Sequence, residues 1–192
     1  MNWAERWARS TGGQTGQVTR VVRGVTKKLK LDRGVSLLDV GCGSGSLLKK
    51  LPAKKKVGLD YSERLLIQAR RRGLRVIKGT AWKLPFADNS FNRVLCYSVT
   101  HYLTHSQAEE ALKELKRVCK PRGFVLVGDV ADVDYYRFGR LMHDLVREPL
   151  LSFFGVTRTA YFSRDWFLKK GFAISSSAYS KKRFDALFTK EF

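Results

Sequence analysis

Val18, Val21, Val22, Val25 and Leu29 fall on one helical stripe, with Arg20, Arg23, Lys27 and Lys28 between them. This predicts an amphipathic helix from Val18 to Leu31. The next pattern is different: Val35-Ser36-Leu37-Leu38-Asp39-Val40 is a short apolar run that ends in Gly41-Cys42-Gly43-Ser44-Gly45, before a helical segment from Ser46 to Leu51. The order is strand, glycine turn, helix. It repeats with Val57 to Asp60 as a second strand, Glu63 to Arg72 as a helix capped by Ser62, and Leu74 to Lys78 as a third strand. A fourth strand is expected at Arg93 to Tyr97. Ser106-Gln107-Ala108-Glu109 reads as a capping box opening a helix to about Val118, with Ala111, Leu112, Leu115 and Val118 as its buried stripe. Pro121-Arg122-Gly123 is expected to turn the chain into a fifth strand, Phe124 to Val130.

Strands and helices alternating at this spacing imply a parallel sheet with right-handed crossovers and helices on both faces, an α/β doubly wound fold. The end of the chain breaks the alternation. An aromatic-rich helical stretch runs from Asp134 to about Phe154, and a capped helix from Ser163 to Lys170 is closed by Gly171. Two last strands, Phe172 to Tyr179 and Phe184 to Thr189, are close enough to form a hairpin that adds an antiparallel member to a mostly parallel, seven-stranded sheet. A length of 192 residues fits one domain. Residues 1–33 form its N-terminal helical segment and residues 131–170 its expected substrate cap.

Composition narrows the class. With 44% hydrophobic and 12% aromatic residues the chain has the material for a core. The longest apolar stretches, such as Phe124 to Val127 and Leu150 to Phe154, fall far short of the roughly 18 residues that span a bilayer. The N-terminus shows no apolar stretch of the signal-peptide kind, so a cytoplasmic location is expected. Cys42, Cys96 and Cys119 are odd in number and widely spaced, which suits reduced cysteines and no metal site.

The candidate chemistry begins at the glycine turn. Gly41, Gly43 and Gly45 allow a tight turn and close backbone approach to a ligand, a device that nicotinamide and flavin enzymes share. Ser46 stands where Gly-x-Gly-x-x-Gly has its third glycine. Asp60 ends the second strand, placed to accept hydrogen bonds from ribose hydroxyls. Turn and acid together indicate a nucleoside site.

Four segments carry a resemblance: Leu38-Asp39-Val40-Gly41-Cys42-Gly43-Ser44-Gly45; Gly58-Leu59-Asp60-Tyr61-Ser62; Leu84-Pro85-Phe86-Ala87-Asp88-Asn89-Ser90-Phe91; and Leu115-Lys116-Arg117-Val118-Cys119-Lys120-Pro121-Arg122-Gly123. In order and spacing, from about Ser36 to Val127, they resemble the motifs of class I S-adenosylmethionine-dependent methyltransferases. The nearest branch is similar to the small quinone-biosynthesis methyltransferases. The resemblance implies a Rossmann-like sheet and S-adenosylmethionine as cofactor, with S-adenosylhomocysteine as product. It also implies that Asp39 lies near the methionine amino group, Gly41 and Gly43 give backbone contacts, Asp60 takes the ribose and Tyr61 lies against adenine. Cys42, Gly45, Ala81 and Cys96 complete the expected cofactor set. Two positions depart from the pattern: Thr80 stands where an acid often reaches the adenine amino group, and Phe91-Asn92 replaces the usual Phe-Asp. The Thr80 hydroxyl or the backbone around Ala81 and Trp82 would then serve adenine, Trp82 itself being read as packing.

Methyl transfer is an in-line displacement, so the enzyme mainly aligns the nucleophile and excludes water; a base is needed only for an acceptor that arrives protonated. His101 and Tyr102 follow the fourth strand at the sheet's carboxyl edge and are the catalytic candidates, the alternative being a loop histidine and a core aromatic. Asp129, Tyr135, Tyr136, Arg140, His143 and Trp166 are candidate cap linings, while Met142, Leu145 and Phe153 read as core.

The formal charge of +20 raises the question of an anionic partner. Most basic clusters precede strands, as in Lys27-Lys28, Lys49-Lys50, Lys54-Lys55-Lys56, Arg70-Arg71-Arg72 and Lys116-Arg117. That places them at the edge opposite the cofactor, where a solvated rim with dipole complementarity is expected. Arg137, Arg140, Arg147, Arg158 and Arg164 are better placed to receive an anionic acceptor. The expected partner is a small or medium-sized acceptor; an RNA methyltransferase and a noncatalytic cofactor-binding module are the alternatives.

Overall fold

The computed structural model describes residues 15–131, 162–177 and 183–191. The expected helix from Asp134 to Phe154 lies outside the described residues, as do Tyr135, Tyr136, Arg137, Arg140, His143, Arg147 and Arg158.

The described chain runs α1 (Thr15–Lys28), β1 (Ser36–Val40), α2 (Ser46–Lys50), β2 (Lys55–Asp60), α3 (Glu63–Arg71), β3 (Arg75–Lys78), β4 (Phe91–Tyr97), a 3-10 turn (Thr100–Tyr102), α4 (His105–Val118), β5 (Cys119–Ala131), α5 (Arg164–Lys169), β6 (Ala173–Ser176) and β7 (Arg183–Thr189). The strands form one seven-stranded sheet in the order β3-β2-β1-β4-β5-β7-β6. The first five are parallel, while β7 is antiparallel to both β5 and β6. The expected α/β sheet with its antiparallel hairpin is present, with the later strand of the hairpin inserted next to β5.

Alternation along the strands sorts side chains into two cores. Leu37, Leu95, Tyr97 and Leu126 face α1, α2 and α3, whose Val21, Val25, Leu48, Leu66 and Ala69 pack on them. Leu38, Val40, Val94, Cys96, Val125 and Val127 face α4 and α5, through Ala108, Leu112, Leu115 and Phe167. Strand order reverses between β1 and β4, so the loops after these two strands open the crevice where open α/β sheets bind ligands.

Three local expectations are corrected. The capping box is two residues earlier: Thr104 Oγ1 accepts from Gln107 N (3.2 Å) and Gln107 Oε1 accepts from Thr104 N (3.0 Å). That register buries Leu103 before the cap and Ala108 after it, a hydrophobic staple that Ser106 as cap would forfeit. Ser62 occupies the cap position of α3, but its side chain makes no cap hydrogen bond. Pro121-Arg122-Gly123 does not precede β5; it is part of it. Arg122 takes φ 59°, and its N donates to Lys190 O at 2.8 Å while Lys190 N donates to Gly123 O at 3.0 Å. A Cβ on Gly123 would lie 2.7 Å from Lys120 O and 2.8 Å from Asn92 O, so the kink is absorbed inside the sheet only because that residue is glycine.

Candidate functional site

The glycine turn is pinned to the end of β2. Gly41 N and Cys42 N both donate to Leu59 O, at 2.7 and 3.0 Å, and Gly45 N donates to Cys42 O at 2.9 Å. Gly41, Gly43 and Gly45 have φ of 77°, 53° and 75°, left-handed backbone that glycine adopts without the Cβ penalty. Their surroundings differ. A Cβ on Gly41 would come within 2.3 Å of Val99 Cγ2, and one on Gly45 within 2.2 Å of Leu74 Cδ1. On Gly43 the nearest atom would be Leu65 Cδ1, at 3.8 Å. Gly41 and Gly45 are therefore required by packing, whereas a Cβ on the half-buried Gly43 would meet only an ordinary van der Waals contact.

Asp60, 7% exposed, ties this turn to the start of α3. Its Oδ2 accepts from Gly43 N at 2.8 Å and its Oδ1 from Ser62 N at 2.9 Å. Each oxygen keeps a second lone pair for another donor. Asp39, on β1, is buried, and no hydrogen bond reaches its carboxylate among the described residues. Burial first, and then the charge of Asp60, push its pKa up to about 7. A cation placed beside Asp39 would compensate its charge. Arg72, absent from the sequence-derived set, braces the turn from outside by donating to Ser44 O at 2.9 Å.

The remaining expected residues separate into mouth and core. Tyr61 is 75% exposed, Tyr102 44% and Trp82 37%, three rings on the segments after β2, β3 and β4. Trp82, expected to pack, is the least exposed of the three. Thr80 is half-buried and forms a single antiparallel bridge with Lys83. Ala81 and Cys96 are core side chains in the α4 layer, and burial holds the Cys96 thiol up at about 12. Cys42 belongs to the α1–α3 core, where its Sγ would lie 2.6 Å from a Cβ on Gly58. Asn92 is far from this edge: at the start of β4, its Oδ1 accepts from Ser36 N and Ser36 Oγ at 3.1 and 2.8 Å. That departure from the family pattern serves strand registration.

His101 and Tyr102 sit in the 3-10 turn after β4, their ring centroids 4.2 Å apart. Burial, with Arg183 adding to it, lowers the His101 pKa to about 4, so its imidazole is neutral at pH 7. Burial raises the Tyr102 phenol, which stays protonated; Arg183 opposes this, while Tyr61 and Asp129 add to it.

Beside them lies a polar cluster that the sequence reading reached only through Asp129. Asp129 Oδ2 accepts from Ser98 Oγ at 2.5 Å and pairs with Arg183 at 3.0 Å, while Asp129 N donates to Asp185 Oδ1 at 2.9 Å. Its Oδ1 is buried without a hydrogen-bond partner, and burial pushes its pKa up to about 6 against the pull of Arg183. Ser98 and Asp129 both have left-handed backbone, φ 58° and 60°, and Ser98 N donates to Gly128 O. Asp185 Oδ2 takes Lys28 Nζ at 2.6 Å. The sequence signal was Asp185 itself, an acid inside the apolar run Phe184 to Phe188.

Lys28 therefore leaves the expected solvated rim, and other rim cations also bind inward. Lys56 Nζ donates to Lys49 O and Leu51 O, and Arg117 pairs with Glu114 and Asp88. Trp166 packs against Phe162 and Phe167, with centroids 4.8 and 5.0 Å away. No group of three or more His, Cys, Asp or Glu side chains suited to a metal occurs among the described residues.

Comparison with known proteins agrees with this geometry. The family described as "Methyltransferase domain" matches residues 38–127. The demethylmenaquinone methyltransferase of Geobacillus stearothermophilus is 30% identical over 158 residues, 74% of this chain and 65% of that protein. The tRNA (carboxymethyluridine(34)-5-O)-methyltransferase of Arabidopsis thaliana is 35% identical over 98 residues, 50% of this chain and 24% of that protein. Among solved structures, a SAM-dependent methyltransferase from Thermotoga maritima superposes with a TM-score of 0.66 at 25% identity, covering 97% of each chain. The chain spans less than half the length of the first curated relatives it matches, 43% and 24%. The residues present fit the cofactor that this family implies: a glycine turn with left-handed backbone, an acid bonded to it, and a second, buried acid that no hydrogen bond reaches among the described residues. The chain carries a methyltransferase domain of the class I S-adenosylmethionine-dependent family.

Proposed function

We propose that this protein binds S-adenosylmethionine at the β1–β2 edge and transfers its methyl group to a small or medium-sized acceptor that enters between Tyr61 and Tyr102. The observation that carries this reading is the bond from Gly43 N to Asp60, made by the one turn glycine at which a Cβ would meet no close contact. Asp60 holds the turn open and offers its remaining lone pairs to the ribose. Asp39 faces the methionine ammonium, whose charge offsets the burial of the carboxylate. Tyr61 covers the adenine, and Thr80 with the backbone at Ala81 meets its edge.

When bound, S-adenosylmethionine supplies a methyl group on a sulfonium that leaves as a neutral thioether. The protein has to align the acceptor and keep water out. Neutral His101 and the protonated Tyr102 phenol orient the acceptor by hydrogen bonding. An acceptor O–H or N–H gives up its proton to the neutral imidazole of His101. We assign the described residues to one domain and the cytoplasm as its location; most of the expected cap, 131–170, lies outside the described residues. No described helix is long and apolar enough to cross a membrane.

Titration calorimetry with S-adenosylmethionine and S-adenosylhomocysteine tests the reading. Binding of neither at millimolar concentration, by folded protein, overturns it. Binding without turnover on any fractionated acceptor pool would make the protein a noncatalytic binding module. A second reading, with RNA as acceptor, is favoured by the charge of the α1–α3 layer.

A further inference from the structure

Two carboxylates flank the glycine turn, Asp39 on β1 and Asp60 on β2. The segment that follows β3 has none: from Gly79 to Ala87 no Asp or Glu occurs. The next acid along the chain, Asp88, pairs with Arg117 at 2.7 Å. Glu114, which reaches this segment from α4, accepts Leu84 N at 2.7 Å and is held by Arg117 at 2.6 Å.

This acid-free segment is fixed beside Asp60. Lys78 stands opposite Asp60 in the β2–β3 register, and Gly79 N donates to Asp60 O at 3.0 Å. Thr80 comes next, half-buried, and its bridge to Lys83 folds the segment back on itself. On the methyltransferase reading, on which this inference rests, Asp60 takes the ribose and the purine edge meets Thr80 and Ala81.

The hydrogen-bonding groups at that edge decide which purine fits. A carboxylate only accepts, so it suits an amino group and sets a negative charge against a carbonyl oxygen. A hydroxyl donates or accepts by rotating. No hydrogen bond engages the Thr80 hydroxyl among the described residues, nor the peptide N–H and C=O groups of Ala81 and Trp82. Adenine presents a donor at its 6-amino group and an acceptor at the neighbouring ring nitrogen; hypoxanthine presents the reverse, a 6-oxo acceptor and a ring N–H donor. Thr80 and the free peptide groups can meet either pattern. Lys78 and Lys83 are both exposed and make no ion pair among the described residues, and their charge favours a carbonyl oxygen at this edge over an amino group. Strong discrimination arises where the wrong ligand leaves a dedicated hydrogen-bonding group unpaired. An acceptor-only side chain of that kind is missing from Gly79 to Ala87.

We propose that Thr80 makes the purine subsite indifferent to the 6-substituent, so that the site takes 6-oxopurine nucleoside thioethers, of which S-inosylhomocysteine is the simplest, as well as adenine ones. The deaminated form of the reaction product then remains a competitor for the site.

Titration calorimetry with S-adenosylhomocysteine and S-inosylhomocysteine is the test, on the native protein, Thr80→Asp and Thr80→Val. The native protein should bind the two ligands within about tenfold of each other, and Thr80→Asp should shift the ratio toward the adenosyl ligand by a further tenfold or so. Thr80→Val should weaken both ligands alike, by about 2- to 12-fold, the loss of one ordinary hydrogen bond. A native preference for the adenosyl ligand beyond about tenfold overturns the proposal and leaves the methyltransferase reading standing. Binding of neither ligand by folded protein overturns that reading and the proposal with it. A ratio that Thr80→Asp leaves unchanged, or a loss for one ligand alone in Thr80→Val, removes Thr80 from the purine edge and overturns the proposal. Differential scanning fluorimetry checks that each variant is folded; if Thr80→Asp is not, Thr80→Glu replaces it.

Discussion

Asp60→Ala tests the centre of the proposed site, because the two backbone bonds this carboxylate accepts and the ribose contact proposed for it separate experimentally. It accepts Gly43 N and Ser62 N at 2.8 and 2.9 Å from a position only 7% exposed. Truncation leaves two backbone donors without their acceptor. Hydrogen bonds to a charged group contribute about 1.5 to 3 kcal/mol each, but Gly43 and Ser62 are only half-buried and water can replace part of what is lost, so a loss of about 2 kcal/mol is expected. For a chain of this size, that lowers the melting temperature by about 4 to 8 °C. The second job is the ribose. Unpaired ribose hydroxyls in a partly buried site cost a further 1 to 3 kcal/mol or so, a loss of about 5- to 150-fold in S-adenosylmethionine affinity. Differential scanning fluorimetry reads the first effect and titration calorimetry, below the melting transition, the second. A lowered melting temperature with unchanged affinity would reduce Asp60 to a loop clamp and refute the ribose assignment. Unchanged stability would refute the two backbone bonds as a stabilising device.

The other predictions concern single groups. Gly43→Ala should cost only the left-handed backbone penalty, about 1 to 2 kcal/mol, whereas Gly45→Ala should destabilise more, since its Cβ would meet Leu74 Cδ1 at 2.2 Å; equal melting temperatures would contradict the packing argument. Asp39 has its pKa raised to about 7 from 3.8, so it favours folding fully below the lower value and loses that contribution as pH rises through the higher one. Apo-protein stability should fall over this window and S-adenosylmethionine affinity should rise; a pH profile that Asp39→Asn leaves unaltered would remove Asp39 from both roles. Lys28→Met strips the cation from Asp185, which is 2% exposed. It should cost about 3 kcal/mol in chemical denaturation, the low end for a broken buried pair because Lys28 is itself partly exposed; a loss under about 1 kcal/mol would class the pair with surface ion pairs.

Much of the fold was legible because its strands are apolar on both faces and bounded by polar turns. Leu37-Leu38-Asp39-Val40 and Val94-Leu95-Cys96-Tyr97 each feed two cores, as buried parallel strands do. Cap register was less legible, since Thr104-x-x-Gln107 and Ser106-x-x-Glu109 satisfy the same local rule and only the burial of Leu103 and Ala108 decides between them. The β5 kink was misread for a related reason. Pro-Arg-Gly spells a turn locally, and the partner that keeps it in the sheet, Lys190, is 68 residues further along the chain from Arg122. Within the site, Gly43, Asp60 and Tyr61 could be read from two adjacent motifs. Arg183 and Ser98 could not, because their meaning lies in a pairing between β5 and β7 that no local pattern announces.

That pairing joins β7 to the polar cluster at the end of β5. β7 lies beside β5, with Val130 opposite Phe184 and Ala131 opposite Arg183, and this register carries Arg183 to the end of β5 where Asp129 stands. Arg183 then acts in two directions: it pairs with Asp129, and it contributes to the lowered pKa of His101. The same acid receives Ser98 from β4 and, through its backbone N–H, Asp185 from β7. Three strands thus converge on Asp129 in a left-handed conformation that costs an ordinary residue about 1 to 2 kcal/mol. Strain of that size persists where surrounding bonds over-determine it, and here the bonds come from β4 and β7 together. An antiparallel β7 beside β5 is therefore what brings Arg183 to Asp129, a pairing that a sheet ending at β5 would lack.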